Sequence, residues 1–198
     1  MKSVKEQIVR ALEERRDIWS RAGAGADTVA TLAKACVTSL RAGGKILFFG
    51  NGGSAAQAEH LAAELVGRYL RDDRPPLAAL ALGGGGALAS ALGNDYGFEV
   101  IFSRQVEALA NKGDVLVGLS TSGSSRNVLE ALATGHKHGC ITALFTGDHD
   151  LGEMEGVHHL LRVPSRETPA IQELHLFFGH LLCEAIENEF LGSRERAW

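Results

Sequence analysis

The 198-residue sequence has little of several things, and each shortage excludes a class of protein. Only three cysteines occur, and Cys36, Cys140 and Cys183 lie too far apart for a metal-binding or redox motif, so buried, reduced thiols are expected. The net charge of −4 gives no basic surface for nucleic acid or for an anionic membrane. No apolar run approaches the roughly 18 residues of a membrane span, and the charged N-terminus lacks a signal-peptide core, so we expect a cytoplasmic protein with no membrane partner.

Prolines are also few, four in all, whereas glycine is abundant at 24 residues. The glycines cluster between short apolar runs, which is typical of turns and ligand loops. The runs at 45–49, 77–82, 114–119, 141–145 and 159–163 are typical of strands that are buried on both faces. Helical segments alternate with them. We therefore expect a single α/β domain over 1–198 with a doubly wound, flavodoxin-like parallel sheet of about five strands flanked by helices.

Two helices are predicted before the first strand, at Val4–Trp19 and at Thr28–Leu40 with Asp27 as N-cap. They form an N-terminal helical extension, residues 1–42, which we expect to pack in an oligomer. The last helix is predicted to begin at Thr168 as N-cap, with Pro169 in its first position and Gly192 as its stop.

The loop at 120–125 reads Ser-Thr-Ser-Gly-Ser-Ser and lies between a buried strand and a helix. Hydroxyls and backbone amides at a helix N-terminus, together with roughly half a positive charge from the helix, favour a phosphate. The loop matches neither a Walker A motif nor a dinucleotide fingerprint. A Ser-rich turn with an N-cap is the structural alternative.

A second glycine-rich loop, at 50–54, also joins a strand to a helix. Asn51 could donate to a sugar hydroxyl there, although a tight turn explains the loop equally well. On the following helix His60 and Glu64 are four residues apart and share one face. They can be a surface pair, two metal ligands or an acid/base couple. Asn94 and Asp95, in a turn-like Gly-Asn-Asp, read in isolation as helix caps.

The C-terminal helix carries a line of polar side chains among many apolar ones. His180 lies seven residues after Glu173 and eight after Gln172, and His175 falls between them. At 3.6 residues per turn Glu173 and His180 are nearly in line, and Gln172 is about 80° away. Such a line is either a solvated edge or the wall of a site.

Taken together, these motifs resemble the bacterial phosphoheptose isomerases of the sugar isomerase (SIS) domain superfamily. The resemblance extends from about residue 43 to residue 187. It rests on Gly-Asn-Gly-Gly-Ser-Ala-Ala at 50–56, His60 with Glu64, Gly-Arg-Tyr at 67–69, Gly-Asn-Asp at 93–95, the loop at 120–125, and Ile-Gln-Glu-x-His at 171–175 with His180.

The resemblance implies that the protein isomerises sedoheptulose 7-phosphate to D-glycero-D-manno-heptose 7-phosphate through an enediol, early in heptose and lipopolysaccharide precursor synthesis. It also implies a homotetramer and a bound zinc ion. By matching positions, Glu64 and His180 would be the acid/base pair. The phosphate would be bound by Ser120, Thr121, Ser122 and Ser125; the sugar site would be lined by Asn51, Gly52, Gly53, Asn94, Asp95 and Gln172; and the metal would be held by His60, Glu64, Gln172 and His180.

Gln57, Gly84, Gly86 and Pro169 depart from residues that are common at these positions in the family, and bear on contacts with the sugar hydroxyls. Two other functions stay open: a non-catalytic SIS protein that binds the replication initiator, and a sugar-phosphate-sensing module. The first group lacks the glutamate that Glu64 matches. The second usually carries a DNA-binding domain, for which the first 40 residues are too short and too acidic. Glu64 therefore favours the enzyme.

Overall fold

The computed structural model describes residues 3–83 and 86–192. Its sheet has five parallel strands in the order β2-β1-β3-β4-β5, with Phe48 of β1 paired to Ala81 on one side and to Val117 on the other. This order confirms the predicted flavodoxin-like, doubly wound fold. The strands are β1 (Ile46–Gly50), β2 (Ala79–Ala81), β3 (Val115–Leu119), β4 (Ile141–Thr146) and β5 (His159–Arg162).

Helices flank this sheet on both faces, as the continuously apolar strands require, because a strand buried on both faces must be covered on both. They are α1 (Val4–Arg21), α2 (Ala26–Arg41), α3 (Gly53–Val66), α4 (Gly86–Tyr96), α5 (Ser103–Leu109), α6 (Arg126–Lys137) and α7 (Thr168–Leu191), with short 3₁₀ segments at Ala22–Gly25 and Phe98–Val100.

The core lies in two apolar layers, one on each face of the sheet. The first layer contains Leu32 of α2, Leu61 of α3 and Leu174 of α7. The second contains Leu132 of α6 and Phe102, which lies just before α5. The three cysteines are buried and free, as expected. Burial raises the pKa of the Cys183 thiol to about 12, which keeps it protonated and unreactive.

Three predicted helix ends are wrong by a short distance. α2 begins at Ala26, because the preceding 3₁₀ turn runs directly into it; Asp27 lies in its first turn and is not its N-cap. α7 is preceded by an extended Glu167, so Thr168 is already helical. Asn94 and Asp95 form the last turn of α4 and do not cap a following helix. Gly192 does end α7, with a φ of +85°.

Helix α1 begins with a capping box between Ser3 and Glu6 but buries none of its own residues. Val4, Ile8 and Leu12 repeat every four residues along it and are 72%, 57% and 66% exposed. No helix within residues 3–83 and 86–192 is both long enough and apolar enough to cross a membrane. The cytoplasmic location stays a prediction. Of the four positions that depart from the family, Gly84 lies outside the described residues.

Candidate active site

The loops that follow β1 and β3 lie side by side at the carboxyl edge of the sheet. This is the point where the chain changes direction across the sheet, which is where doubly wound folds bind ligands. The two loops are in close contact: a Cβ on Gly50 would lie 2.7 Å from the carbonyl oxygen of Leu119. Gly52, with a φ of +55°, then directs the chain into α3. Glycine is needed at both positions, for space at one and for backbone conformation at the other.

The loop at 120–125 is folded by its own hydroxyls. The buried Ser120 hydroxyl donates to Ser125, 2.9 Å away, and Ser124 donates to Ser122 through both its amide and its hydroxyl. Gly123 has a φ of +69° and turns the chain toward α6. Beneath it, among the described residues, the fully buried Thr146 hydroxyl finds no hydrogen-bond partner. The loop therefore presents several polar groups at one helix N-terminus, the arrangement that suits an anion.

A pair of asparagines joins this loop to the glycine-rich loop. Asn51 donates to the Oδ1 of Asn127 at 2.9 Å, and Asn127 donates to the Oδ1 of Asn51 at 2.8 Å. Asn127 lies in the first turn of α6 and is 2% exposed. Sequence reasoning missed it, since the only signal was an amide directly after the Ser/Thr loop. The reciprocal pair holds the two candidate binding loops in a fixed relation.

Helices α3 and α7 run side by side in the same direction, and this brings three predicted residues together. His60 and His180 place their Nε2 atoms 2.8 Å apart, and His60 Nε2 lies 3.4 Å from Glu64 Oε1. The possible ligand atoms of the three residues all lie within 4.8 Å of one another. The ring of Tyr69 stacks on His180 with an interplanar angle of 18°. Glu64 and His180 are part-buried, so the cluster is accessible from one side.

The cluster has the composition of a metal centre. Two imidazoles and one carboxylate are ligands that zinc prefers, and a tetrahedral ion with bonds near 2.05 Å holds two nitrogen ligands about 3.3 Å apart. The distance of 3.4 Å between His60 Nε2 and Glu64 Oε1 is close to that value, and the two imidazole nitrogens, 2.8 Å apart, would have to separate by about half an ångström to bind one ion. Burial, and then the neighbouring His60, lower the pKa of His180, which favours the neutral imidazole that binds metals.

Gln172 lies apart from this cluster. Its carboxamide packs on the first residue of α3: a Cβ on Gly53 would be 2.7 Å from Gln172 Nε2. Eight residues of helix separate it from His180, a rise of about 12 Å. Gln57 ties the two helices there by donating to the carbonyl oxygen of Gln172 at 2.7 Å. The role of Gln172 as a metal ligand stays a prediction.

Asn94 and Asp95 are exposed at the end of α4 and bond to each other at 2.8 Å. A cleft beside the glycine-rich loop is lined by Asn51, Gly52 and Gly83 and also by Phe98, which follows α4. The proposed contact of Asn94 and Asp95 with the sugar also stays a prediction.

The chain is similar to known proteins over most of its length. The SIS domain family model matches residues 12–147. The phosphoheptose isomerase of Paramagnetospirillum magneticum is 57% identical over 157 residues, which cover 79% of this chain and 81% of that protein. Two solved structures, phosphoheptose isomerase GmhA from Neisseria gonorrhoeae (37% identity, TM-score 0.85) and a phosphoheptose isomerase from Francisella tularensis (35% identity, TM-score 0.88), each cover 94% of this chain and are themselves covered completely. The chain thus belongs to the phosphoheptose isomerase family of SIS domain proteins.

Proposed function

We propose that this protein converts sedoheptulose 7-phosphate to D-glycero-D-manno-heptose 7-phosphate, an early step toward heptose-containing glycans. The observation that carries the proposal is the convergence of His60, Glu64 and His180 on two adjacent helices. The first of these helices begins in the loop that Asn51 joins to the Ser/Thr loop. From Gly53 to His60 the rise along α3 is about 10 Å. The two regions therefore suit a substrate whose phosphate and carbonyl group lie at opposite ends.

The chemistry needs a base and an acid at the carbonyl end. A ketose becomes an aldose when a proton leaves C1, an enediol forms, and a proton is added at C2. Glu64 has the chemistry of the base that moves the carbon-bound proton. To His180, on whose ring Tyr69 stacks, we assign the transfer of the proton between the two oxygens. Such positioned groups typically contribute 10²- to 10⁴-fold each.

Zinc is the metal that the donor set fits best. His60, Glu64 and His180 would hold it, and a bound zinc ion supplies Lewis acidity to the carbonyl and hydroxyl oxygens. Gln172 is uncommon as a zinc ligand type. Metal analysis of the purified protein, with His60→Ala as the comparison, is expected to show about one zinc per chain and its loss in the variant.

The remaining contacts follow from the loops. We propose that the phosphate is held by Ser120, Thr121, Ser122 and Ser125 and that the sugar is contacted by Asn51, Gly52, Gly53, Asn94, Asp95 and Gln172. The phosphate residues share one loop at a helix N-terminus, where amides and the helix dipole favour a dianion without a cationic side chain.

Coupled turnover of sedoheptulose 7-phosphate tests the activity. Glu64→Gln is expected to lower kcat by about 10³-fold, as for loss of a general base, and to leave binding of inorganic phosphate unchanged. Glu59→Gln, on an exposed part of the same helix, is the control and should behave as wild type. No turnover by the wild type with zinc supplied would refute the proposal. Sugar-phosphate binding without turnover would favour the sensing module instead.

We also propose that this single-domain chain assembles as a homotetramer through α1. The exposed row of Val4, Ile8 and Leu12 is an apolar stripe that gains from burial against another subunit. Light scattering of the purified protein should give the tetramer mass, and Ile8→Asp should give smaller species. A tetramer that persists in Ile8→Asp would show that α1 is not the contact.

A further inference from the structure

A buried ion pair lies behind the reacting end of the site. Arg74 Nε and Glu187 Oε1 are 2.6 Å apart, and their side chains are 0% and 1% exposed. Burying two charges is costly, and an apolar pair of similar volume is often as stable. The helices it connects are already packed through Leu61, Leu65 and Leu182, which are fully buried. The packing of α3 against α7 therefore does not require the ion pair between Arg74 and Glu187.

The arginine caps the helix that carries Glu64. Helix α3 ends at Val66, so the carbonyl groups of its last turn have no partner within the helix. Arg74 donates to two of them, Leu65 at 2.7 Å through Nη1 and Glu64 itself at 2.5 Å through Nη2. The planar guanidinium thus fixes the backbone of Glu64 while its Nε donates to Glu187.

The glutamate fixes the residue that stacks on His180. Its two carboxylate oxygens each accept a backbone amide at 3.1 Å, one from Tyr69 and one from Leu70. The Tyr69 ring lies 5.3 Å from the ring of His180, centroid to centroid. Glu187 is also seven residues after His180 on α7, two turns along the same face. The ion pair is therefore connected to both members of the acid/base couple.

We propose that Arg74 and Glu187 are positioning residues, which set the orientation of Glu64 and, through Tyr69, of His180. The inference rests on the proposed function for its catalytic consequence. Neither residue needs to touch the substrate. Changing them should therefore lower kcat and leave KM nearly unchanged, because the phosphate loop, which lies at the other end of α3, keeps its contacts.

The chain supplies a matched control. Asp114 is also a fully buried carboxylate that accepts one side-chain cation and two backbone amides: Lys45 Nζ at 2.6 Å, and the amides of Lys45 and Asn111. It lies just before β3, at the opposite edge of the sheet from the candidate site. Glu187→Gln and Asp114→Asn thus each remove one charge from a fully buried, similarly bonded carboxylate at opposite ends of the fold, with Lys45 25% exposed where Arg74 is buried.

The experiment compares these two variants with Arg74→Lys and Tyr69→Leu by thermal melting and steady-state kinetics. A displacement of about 1 Å can cost 10²-fold, so we expect Glu187→Gln to lower kcat 10- to 100-fold with KM within about threefold. Arg74→Lys keeps the positive charge but loses the planar set of guanidinium donors. It should lower kcat about tenfold, with a smaller loss of Tm than Glu187→Gln. Asp114→Asn should lower Tm and keep kcat. Equal kcat losses in Glu187→Gln and Asp114→Asn, or an unchanged kcat in both Glu187→Gln and Arg74→Lys, would overturn the proposal.

A second measurement does not depend on turnover. Imidazole ¹H–¹⁵N spectra, with His180 assigned through His180→Gln, should show the His180 signal displaced in Glu187→Gln and Tyr69→Leu and unmoved in Asp114→Asn. An undisplaced signal in Glu187→Gln refutes the positioning role even if the protein proves not to be an isomerase. Displaced signals in a protein with no turnover would leave the positioning geometry in place and refute only the proposed function.

Discussion

Gly123→Ala tests whether the loop at 120–125 binds the phosphate, because it alters that loop without removing a hydroxyl. Gly123 has a φ of +69°, in the left-handed region where a side chain is strained. A Cβ there would lie 2.6 Å from a Leu151 methyl group and 2.7 Å from Thr146 Oγ1. Ordinary contacts of a Cβ are 3.4–4 Å, so the loop, Leu151 or Thr146 must move by most of an ångström.

The expected cost has two parts. The left-handed conformation costs an alanine about 1 kcal/mol. Overpacking adds about 1–3 kcal/mol, because Leu151 is flexible but Thr146 is fully buried on a central strand. Gly113→Ala separates the two parts: Gly113 has a φ of +89°, nothing lies within 4 Å of its Cβ position, and it precedes β3 at the far edge of the sheet.

At roughly 3 °C per kcal/mol for a chain of this size, Gly113→Ala should lower Tm by about 3 °C and Gly123→Ala by about 6–12 °C. Calorimetry with inorganic phosphate and steady-state kinetics then give the functional effect. We expect Gly123→Ala to weaken phosphate binding and raise KM at least tenfold, and Gly113→Ala to change neither. If Gly123→Ala shows the stability loss with an unchanged KM, the loop does not hold the phosphate. If the two variants lose equal stability, the steric reasoning is wrong.

Three further predictions concern the Ser/Thr loop, the asparagine pair and the buried His175. Ser120→Ala combined with Ser122→Ala should raise KM and keep kcat in steady-state kinetics. The phosphate contacts that it removes stabilise the bound substrate and the transition state equally. Asn127→Ala removes three hydrogen bonds and should cost about 2 kcal/mol in denaturant unfolding and raise KM; unchanged kinetics would show that the asparagine pair is only structural. Burial lowers the pKa of His175 to about 4 from 6.5, so the unfolded chain takes up a proton that the folded chain does not, and stability falls as pH drops from 6.5 to 4 by about 3 kcal/mol. His175→Leu should flatten that pH dependence, and an unchanged slope would contradict the assignment.

The strands were predictable because they are apolar throughout. All five residues of β1 and of β3 are buried, a pattern that in short runs between glycines indicates a parallel sheet. The helix ends were less predictable. Asp27 and Thr168 are good N-cap residue types, but the cap position depends on where the preceding chain turns helical. At Asp27 a 3₁₀ turn decides this, and at Thr168 the extended backbone of Glu167 does.

The candidate site was predictable where one element carries the signal, and not where two distant elements meet. His60 and Glu64 share one helix, so their spacing alone predicts a common face. Asn51 and Asn127 are 76 residues apart, and Arg74 is 113 residues from Glu187. Neither pairing leaves a pattern in one sequence, because each depends on how the sheet places the elements. A shared helix has its own limit as a signal: Gln172 lies on α7 with His180, yet eight residues of helix, about two turns, separate the two. Its role as a metal ligand stays a prediction.

Helix α3 links the two halves of the site, and both of its ends are determined by specific contacts. At its start, the positive φ of Gly52 and the contact between Gly53 and Gln172 fix where the helix leaves the glycine-rich loop. At its end, Arg74 binds the carbonyl of Glu64. The helix between them is continuous from Gly53 to Val66, so its length sets the distance from the candidate binding loops to Glu64, the proposed base. Replacing Gly53 at the start of α3 should therefore alter binding, and replacing Arg74 at its end should alter turnover.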